Sequence, residues 1–98
     1  MSDIIQLDNE RIATAIAADH VHVFIICPYC GAIHMHGSNG MPDGSEGPNK
    51  WGHRVDHCGA HYFAGYAIEG NPFTVHSDKP LSSKTALKQY KKAIGVTR

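Results

Sequence analysis

Residues 27–37 read Cys27-Pro28-Tyr29-Cys30-Gly31-Ala32-Ile33-His34-Met35-His36-Gly37, and the fold turns on whether this stretch is a dithiol leading into a helix or half of a metal site. A redox dithiol sits at a helix N-terminus, because the free N–H groups and the helix dipole stabilise the thiolate and lower its pKa. The residues after Cys30 make a poor helix: a glycine stands at each end and no apolar residues recur at spacings of three and four. They make a good tight turn running into a short strand over 32–36, with Gly31 supplying the permissive backbone that lets N–H groups point back at bound sulfurs. Upstream, Val21-His22-Val23-Phe24-Ile25-Ile26 is β-branched and aromatic and predicts a strand.

The tetrapeptide Cys27-Pro28-Tyr29-Cys30, with its incoming strand, resembles the glutaredoxin active site, which implies a dithiol oxidoreductase. The resemblance covers little beyond that strand and tetrapeptide. The Thr-Val-Pro loop of that family has its nearest counterpart in Phe73-Thr74-Val75-His76, where a histidine stands in place of the proline.

Metal chemistry draws on more of the chain. All three cysteines (Cys27, Cys30, Cys58) and five of the eight histidines (His34, His36, His53, His57, His61) lie between residues 27 and 61. Cys58-Gly59-Ala60-His61 repeats the two-residue spacing of the first pair, giving C-x2-C, 27 intervening residues, then C-x2-H. Two such turns brought together supply four soft or borderline donors in a tetrahedron, which suits Zn²⁺ with Zn–S near ~2.3 Å and Zn–N near ~2.0 Å. The fourth ligand is open among several histidines. An extended strand advances about 3.3 Å per residue, which puts His34 and His36 about 13 and 20 Å beyond Cys30 unless the chain turns back. His57 adjoins Cys58 and points to the opposite face of a regular strand, and His53 is farther along it. His61 therefore ranks first, His57 second, and His53 and His36 behind them. A histidine left outside the set is ordinarily a surface or supporting hydrogen-bonding residue.

The string CPYCGAIHMHG, a glycine-rich gap, GHRVDHCG and a following GYAI together resemble small Cys/His-rich zinc-finger-type proteins of actinobacteria and bacteriophages, over about residues 27–68. The resemblance implies a metal-binding module, and it emphasises His36, His57 and Cys58 over His61.

Ninety-eight residues make one domain, able to bury about 65% of its extended-chain surface. A structural metal would matter greatly to so small a core. No apolar run approaches the length of a membrane span, and the N-terminus is not basic-then-apolar, so export and membrane insertion are not expected. An odd cysteine count with metal-like spacing argues against a disulfide framework and for the cytoplasm. Net charge is zero but uneven: all nine acids precede residue 79 with three bases among them, while residues 79–98 hold six bases and no acid.

Along the chain, Asp3 to Leu7 reads as an extended lead-in. Asp8 can cap a helix over 9–19, where Ile12 and Ile16 stand one turn apart among alanines. The glycine- and proline-rich stretch 37–52 reads as a mobile surface loop joining the two metal turns, with Trp51 near its end as a core aromatic that packs it down. Strands follow over 53–57 and 62–69, and Gly70-Asn71-Pro72 turns the second into Phe73–His76 in hairpin fashion. A last helix over about 82–94 opens at Ser82 or Ser83 and stops at Gly95, with Leu87, Tyr90 and Ile94 on one stripe and Lys84, Lys88, Lys91 and Lys92 on an adjacent arc.

The expectation is a small α+β, zinc-ribbon-like antiparallel β domain with an N-terminal and a C-terminal helix. One Zn²⁺ is held by Cys27, Cys30, Cys58 and a histidine, in a structural role with no catalytic residue. Such a domain serves as a binding module for a protein or nucleic-acid partner through the basic helix, for instance as a phage-encoded regulator or inhibitor of a host factor. Besides the oxidoreductase, one other enzyme class is in view: Val55-Asp56-His57 looks like the strand of His-Me finger nucleases, whose histidine activates water beside a divalent cation. The later Asn or His on a helix that such a nuclease needs is not evident.

Overall fold

A computed structural model describes residues 11–55 and 65–95. They form six strands and one helix: β1 Arg11–Ala18, β2 His22–Ile26, β3 Ile33–Gly37, β4 Lys50–Val55, β5 Gly65–Glu69, β6 Val75–His76 and α1 Ser83–Ala93. The strands make one sheet in the order β3-β2-β1-β5-β4, with β6 also against β1. Pairs β1/β2, β2/β3 and β4/β5 are antiparallel. Both β5 and β6 run parallel to β1.

This corrects the expected architecture in two respects. The helix expected over 9–19 does not form: residues 11–18 are β1, the central strand. Ile12 and Ile16, four residues apart, share a face in a strand as well as in a helix, so their spacing could not choose between the two. Burial decides it. Ala13, Ala15 and Ala18 lie in one apolar cluster with Trp51, Tyr66 and Ile68, while Ile16 and Ala17 lie in another with Phe24 and Ala86. A strand covered on both faces needs small side chains where large rings and a helix press on it, and that packing overrides the helical preference of alanine. A bulge between Ala15 and Ala17 breaks the strict alternation.

The second correction is that the sheet is mixed and not a zinc-ribbon-like antiparallel one. The residues expected to pair with each other as a hairpin instead lie end to end along β1, β5 beside Arg11–Thr14 and β6 beside Ala17–Ala18. Thr74 makes the step between them. Its buried hydroxyl donates to the Ala15 carbonyl at 2.7 Å and accepts from the Asn71 N–H at 2.8 Å, so the turn engages the backbone at the β1 bulge.

The sheet curls about the Trp51/Tyr66 cluster until its two edges communicate. Arg54 on β4 donates to the carbonyl of Gly37 at the end of β3, 3.0 Å away. The glycine-rich stretch between those strands is crossed by its own backbone hydrogen bonds, among them Gly44 N–H to Met41 O and Asn49 N–H to Asp43 O. The Trp51 indole N–H donates to Met41 O at 2.9 Å, so the buried ring also ties that stretch down.

On the other face α1 seats Ala86 against Ile16, Ala17 and Phe24, flanked by Leu87 and Tyr90. Ser82 caps it by accepting the Thr85 N–H, and the chain leaves it through Gly95 at φ 78°, a left-handed conformation open to glycine. Asp19, buried after β1, joins this helix to the sheet. Its Oδ1 accepts from the N–H groups of Val21 (2.8 Å) and His22 (2.7 Å), and its Oδ2 from that of Leu81 (2.8 Å). No helix among the described residues is long and apolar enough to cross a membrane.

Candidate metal centre

Beyond Ile26 the chain carries on from β2 into Cys27, which is 1% exposed and packs in the Trp51/Tyr66 cluster. A tight turn follows. Cys27 N–H donates to Ala32 O at 2.8 Å and Gly31 N–H to Cys27 O at 2.9 Å, while Gly31 takes φ 80°. An L side chain would be strained there, and that residue is what sends the chain back on itself. The Tyr29 N–H donates to Cys27 Sγ, 3.4 Å away.

The reversal brings β3 alongside β2 and sets His34 opposite Ile25. Its Nε2 lies 3.4 Å from Cys30 Sγ. The donor atoms of Cys27, Cys30 and His34 all fall within 4.8 Å of one another. In a tetrahedron with ordinary Zn–S and Zn–N bonds, sulfur and nitrogen donors stand about 3.5 Å apart, so the Cys30–His34 separation already matches. The three form a group at metal-binding distance, with Cys27 buried, His34 half-buried and Cys30 exposed.

His34 escaped the sequence reading because distance was counted along a straight strand. A reversal at Gly31 turns a separation of four residues into a contact, and the same glycine that marked the turn was the available signal.

The other candidates are placed as follows. His36, two residues further on β3, is buried with its Nε2 2.7 Å from the Tyr66 hydroxyl, and the two rings pack edge to face. His53 is exposed on β4 opposite Ala67, beside a groove lined by Glu46, Lys50 and Glu69. Among the described residues, neither joins the Cys27–Cys30–His34 group. Cys58, His57 and His61 lie outside the described residues. So do residues 3–7, expected to be extended.

The stretch carrying those three connects β4 to β5, and its described ends, Val55 and Gly65, are register partners. The Cys turn reaches one of them directly: the Tyr29 hydroxyl donates to Gly65 O at 2.7 Å. Arg11, at the start of β1, places its guanidinium 5.4 Å from the centre of the Tyr29 ring. The Cys turn, the start of β1 and the ends of β4 and β5 thus meet at one end of the curled sheet.

A dithiol of the glutaredoxin kind needs a helix after its second cysteine. Here Cys30 is followed by the turn and by β3. Lys84, Lys88, Lys91 and Lys92 are exposed on α1, which packs on the face of the sheet opposite the Cys27 cluster. Metal group and lysines are therefore separate features of the surface.

Asp19 also feels its surroundings electrostatically. Burial pushes its carboxyl up, but the backbone N–H groups of His22, Leu81 and Val21, with the charge of His22, outweigh that and hold it below the ordinary 3.8.

No protein family, no curated protein and no solved structure matches this chain.

Proposed function

We propose that this chain is a small zinc-binding module. Cys27, Cys30 and His34 hold the ion together with one donor from residues 56–64, Cys58 ahead of His61 and His57. The observation that carries this reading is the convergence of three donor atoms within 4.8 Å at the Cys turn. The hydrogen bond from Tyr29 to Gly65 supports it, because it fixes beside that turn the residue at which the chain carrying the remaining candidates enters β5. Two or three thiolates with imidazole in a tetrahedral set favour zinc over harder cations. Four protein donors leave no open position, so the role is structural and the module is not an enzyme.

The benefit is to the fold. A bound zinc, stabilising by roughly 10–16 kcal/mol in small metal-held domains, would cross-link the β2–β3 turn to the β4–β5 connection where the hydrogen bonding of the sheet ends. Held in this way, the domain acts as an intracellular binding module, a regulator or inhibitor that meets a macromolecular partner, in keeping with its resemblance to small Cys/His-rich zinc-finger-type proteins of actinobacteria and phages. Metal analysis of the purified protein tests the reading. One equivalent of zinc is expected in the wild type and weaker retention of it in Cys30→Ser and His34→Ala; a folded wild type that takes up no zinc when zinc is supplied contradicts it.

A further inference from the structure

We propose that the outward face of α1 docks the phosphate backbone of a nucleic acid, with Lys84, Lys88 and Lys91 as its contact ridge and Lys92 beside it. This deepens the binding-module reading, on which it rests, by naming the class of partner. Positions 84, 88 and 91 follow one another at spacings of four and three and so line one side of the helix. At 1.5 Å per residue the ridge is about 10 Å long, enough to lie along about three phosphates of one strand.

The other side of α1 is already occupied by the sheet, through Ala86, Leu87 and Tyr90. All four lysines are exposed. The sequence offers no acid anywhere in residues 79–98, and among the described residues none of the four lysines makes an ion pair.

Helix stability alone does not explain this placement. Lys91 and Lys92 are in the last turn, where the negative end of the dipole favours them. Lys84 is in the first turn, which holds no acidic residue, and there a positive charge opposes the dipole. Lys84 and Lys88 also repel as an i, i+4 pair of like charge. An arrangement that works against the free helix becomes favourable when a polyanion lies on it. Phosphate is preferred over an acidic protein because Thr85 and Gln89, which accompany the ridge, are polar. Protein interfaces gain most of their affinity from buried aromatic or arginine anchors, and they disfavour lysine.

The test uses the full-length chain with labelled duplex DNA and single-stranded RNA in fluorescence anisotropy across a salt series. Polyglutamate and phosphatidylglycerol vesicles are the competing arms. Three to four neutralised phosphates predict a log–log salt slope of about −3. Lys84→Glu should weaken binding by several-fold and flatten the slope by about 1, while circular dichroism shows helix content held or raised, since a glutamate in the first turn suits the dipole. Lys84→Glu with Lys88→Glu should abolish measurable binding. Overturning results are no binding to either nucleic acid at low salt, binding indifferent to the double substitution, or equal or tighter binding to polyglutamate or vesicles. Zinc content measured on the same samples separates the two readings. A zinc-free chain that binds DNA through Lys84 and Lys88 upholds this docking face and overturns the metal-held module, whereas a zinc-loaded chain that binds no nucleic acid does the reverse.

Discussion

Cys27 and Cys30, with two residues between them, differ in more than position. The first is sealed into the core with a backbone N–H on its sulfur, the second is exposed beside His34. Reactivity should follow that difference. In metal-free protein, iodoacetamide is expected to modify Cys30 well before Cys27, and zinc should protect both; mass-spectrometric mapping reads the order, and equal rates would speak against the buried position of Cys27. Removing the imidazole by His34→Ala takes away about a quarter of the binding free energy of a four-donor site, roughly 3 kcal/mol or about a hundredfold in zinc affinity. A competition titration with a colorimetric chelator measures it.

Asp19 gives a second prediction at this scale. Its carboxyl is held below 3.8 in the folded chain, so its stabilisation is complete above that unfolded value and is lost as pH falls through the lower folded one. Asp19→Asn should cost about 2–3 kcal/mol near neutral pH, because charge-assisted hydrogen bonds to three backbone N–H groups are weakened. It should also flatten the fall in stability below about pH 4. Denaturant melts at several pH values check both. A variant as stable as the wild type at pH 7 would show that Asp19 does not bind the β1–β2 turn to the lead-in of α1.

Among the elements, those whose sequence carried a period of their own were legible: the β-branched run that became β2, the short strand after Gly31, and the amphipathic α1 between Ser82 and Gly95. β1 was not, because Ile12 and Ile16 satisfy both periods and its alanines favour helix until tertiary packing is considered. β5 and β6 were legible as strands but not as parallel partners of β1, since sequence proximity suggests a hairpin and only the bulge engaged by Thr74 reveals the alternative. The seating of α1 on β1 is open to test. Ala86 is fully buried against Ile16 and Ala17, so Ala86→Leu should overpack that contact and destabilise by about 1–3 kcal/mol. A thermal melt unchanged by the substitution would contradict the packing of α1 against the central strand.

At the scale of the whole molecule, the sheet is held at both ends by unlike devices. At one end Arg54 reaches the Gly37 carbonyl and Trp51 reaches Met41 O; at the other the Cys turn meets Gly65 through Tyr29. The first end is secured by ordinary hydrogen bonds and a buried ring. The second, in our reading, is secured by the metal, and the spacing of Cys27 and Cys30 made that end visible in the sequence while the reversal that recruits His34 was not. Zinc removal should therefore act from one end. Chelation is expected to speed amide hydrogen exchange first in the 27–34 turn and in β5, with α1 and the β1–β2 pairing protected longer. Uniform loss of protection would point to a metal that holds the entire core at once.

The most direct measurement is X-ray absorption at the zinc edge on the purified protein, since it counts sulfur and nitrogen neighbours without reference to any partner. Three sulfurs near ~2.3 Å and one imidazole nitrogen near ~2.0 Å are predicted, with His34→Ala removing the nitrogen contribution. Zinc bound by oxygen and nitrogen alone, or an unaltered spectrum in His34→Ala, would contradict the proposal that Cys27, Cys30 and His34 form its coordination sphere.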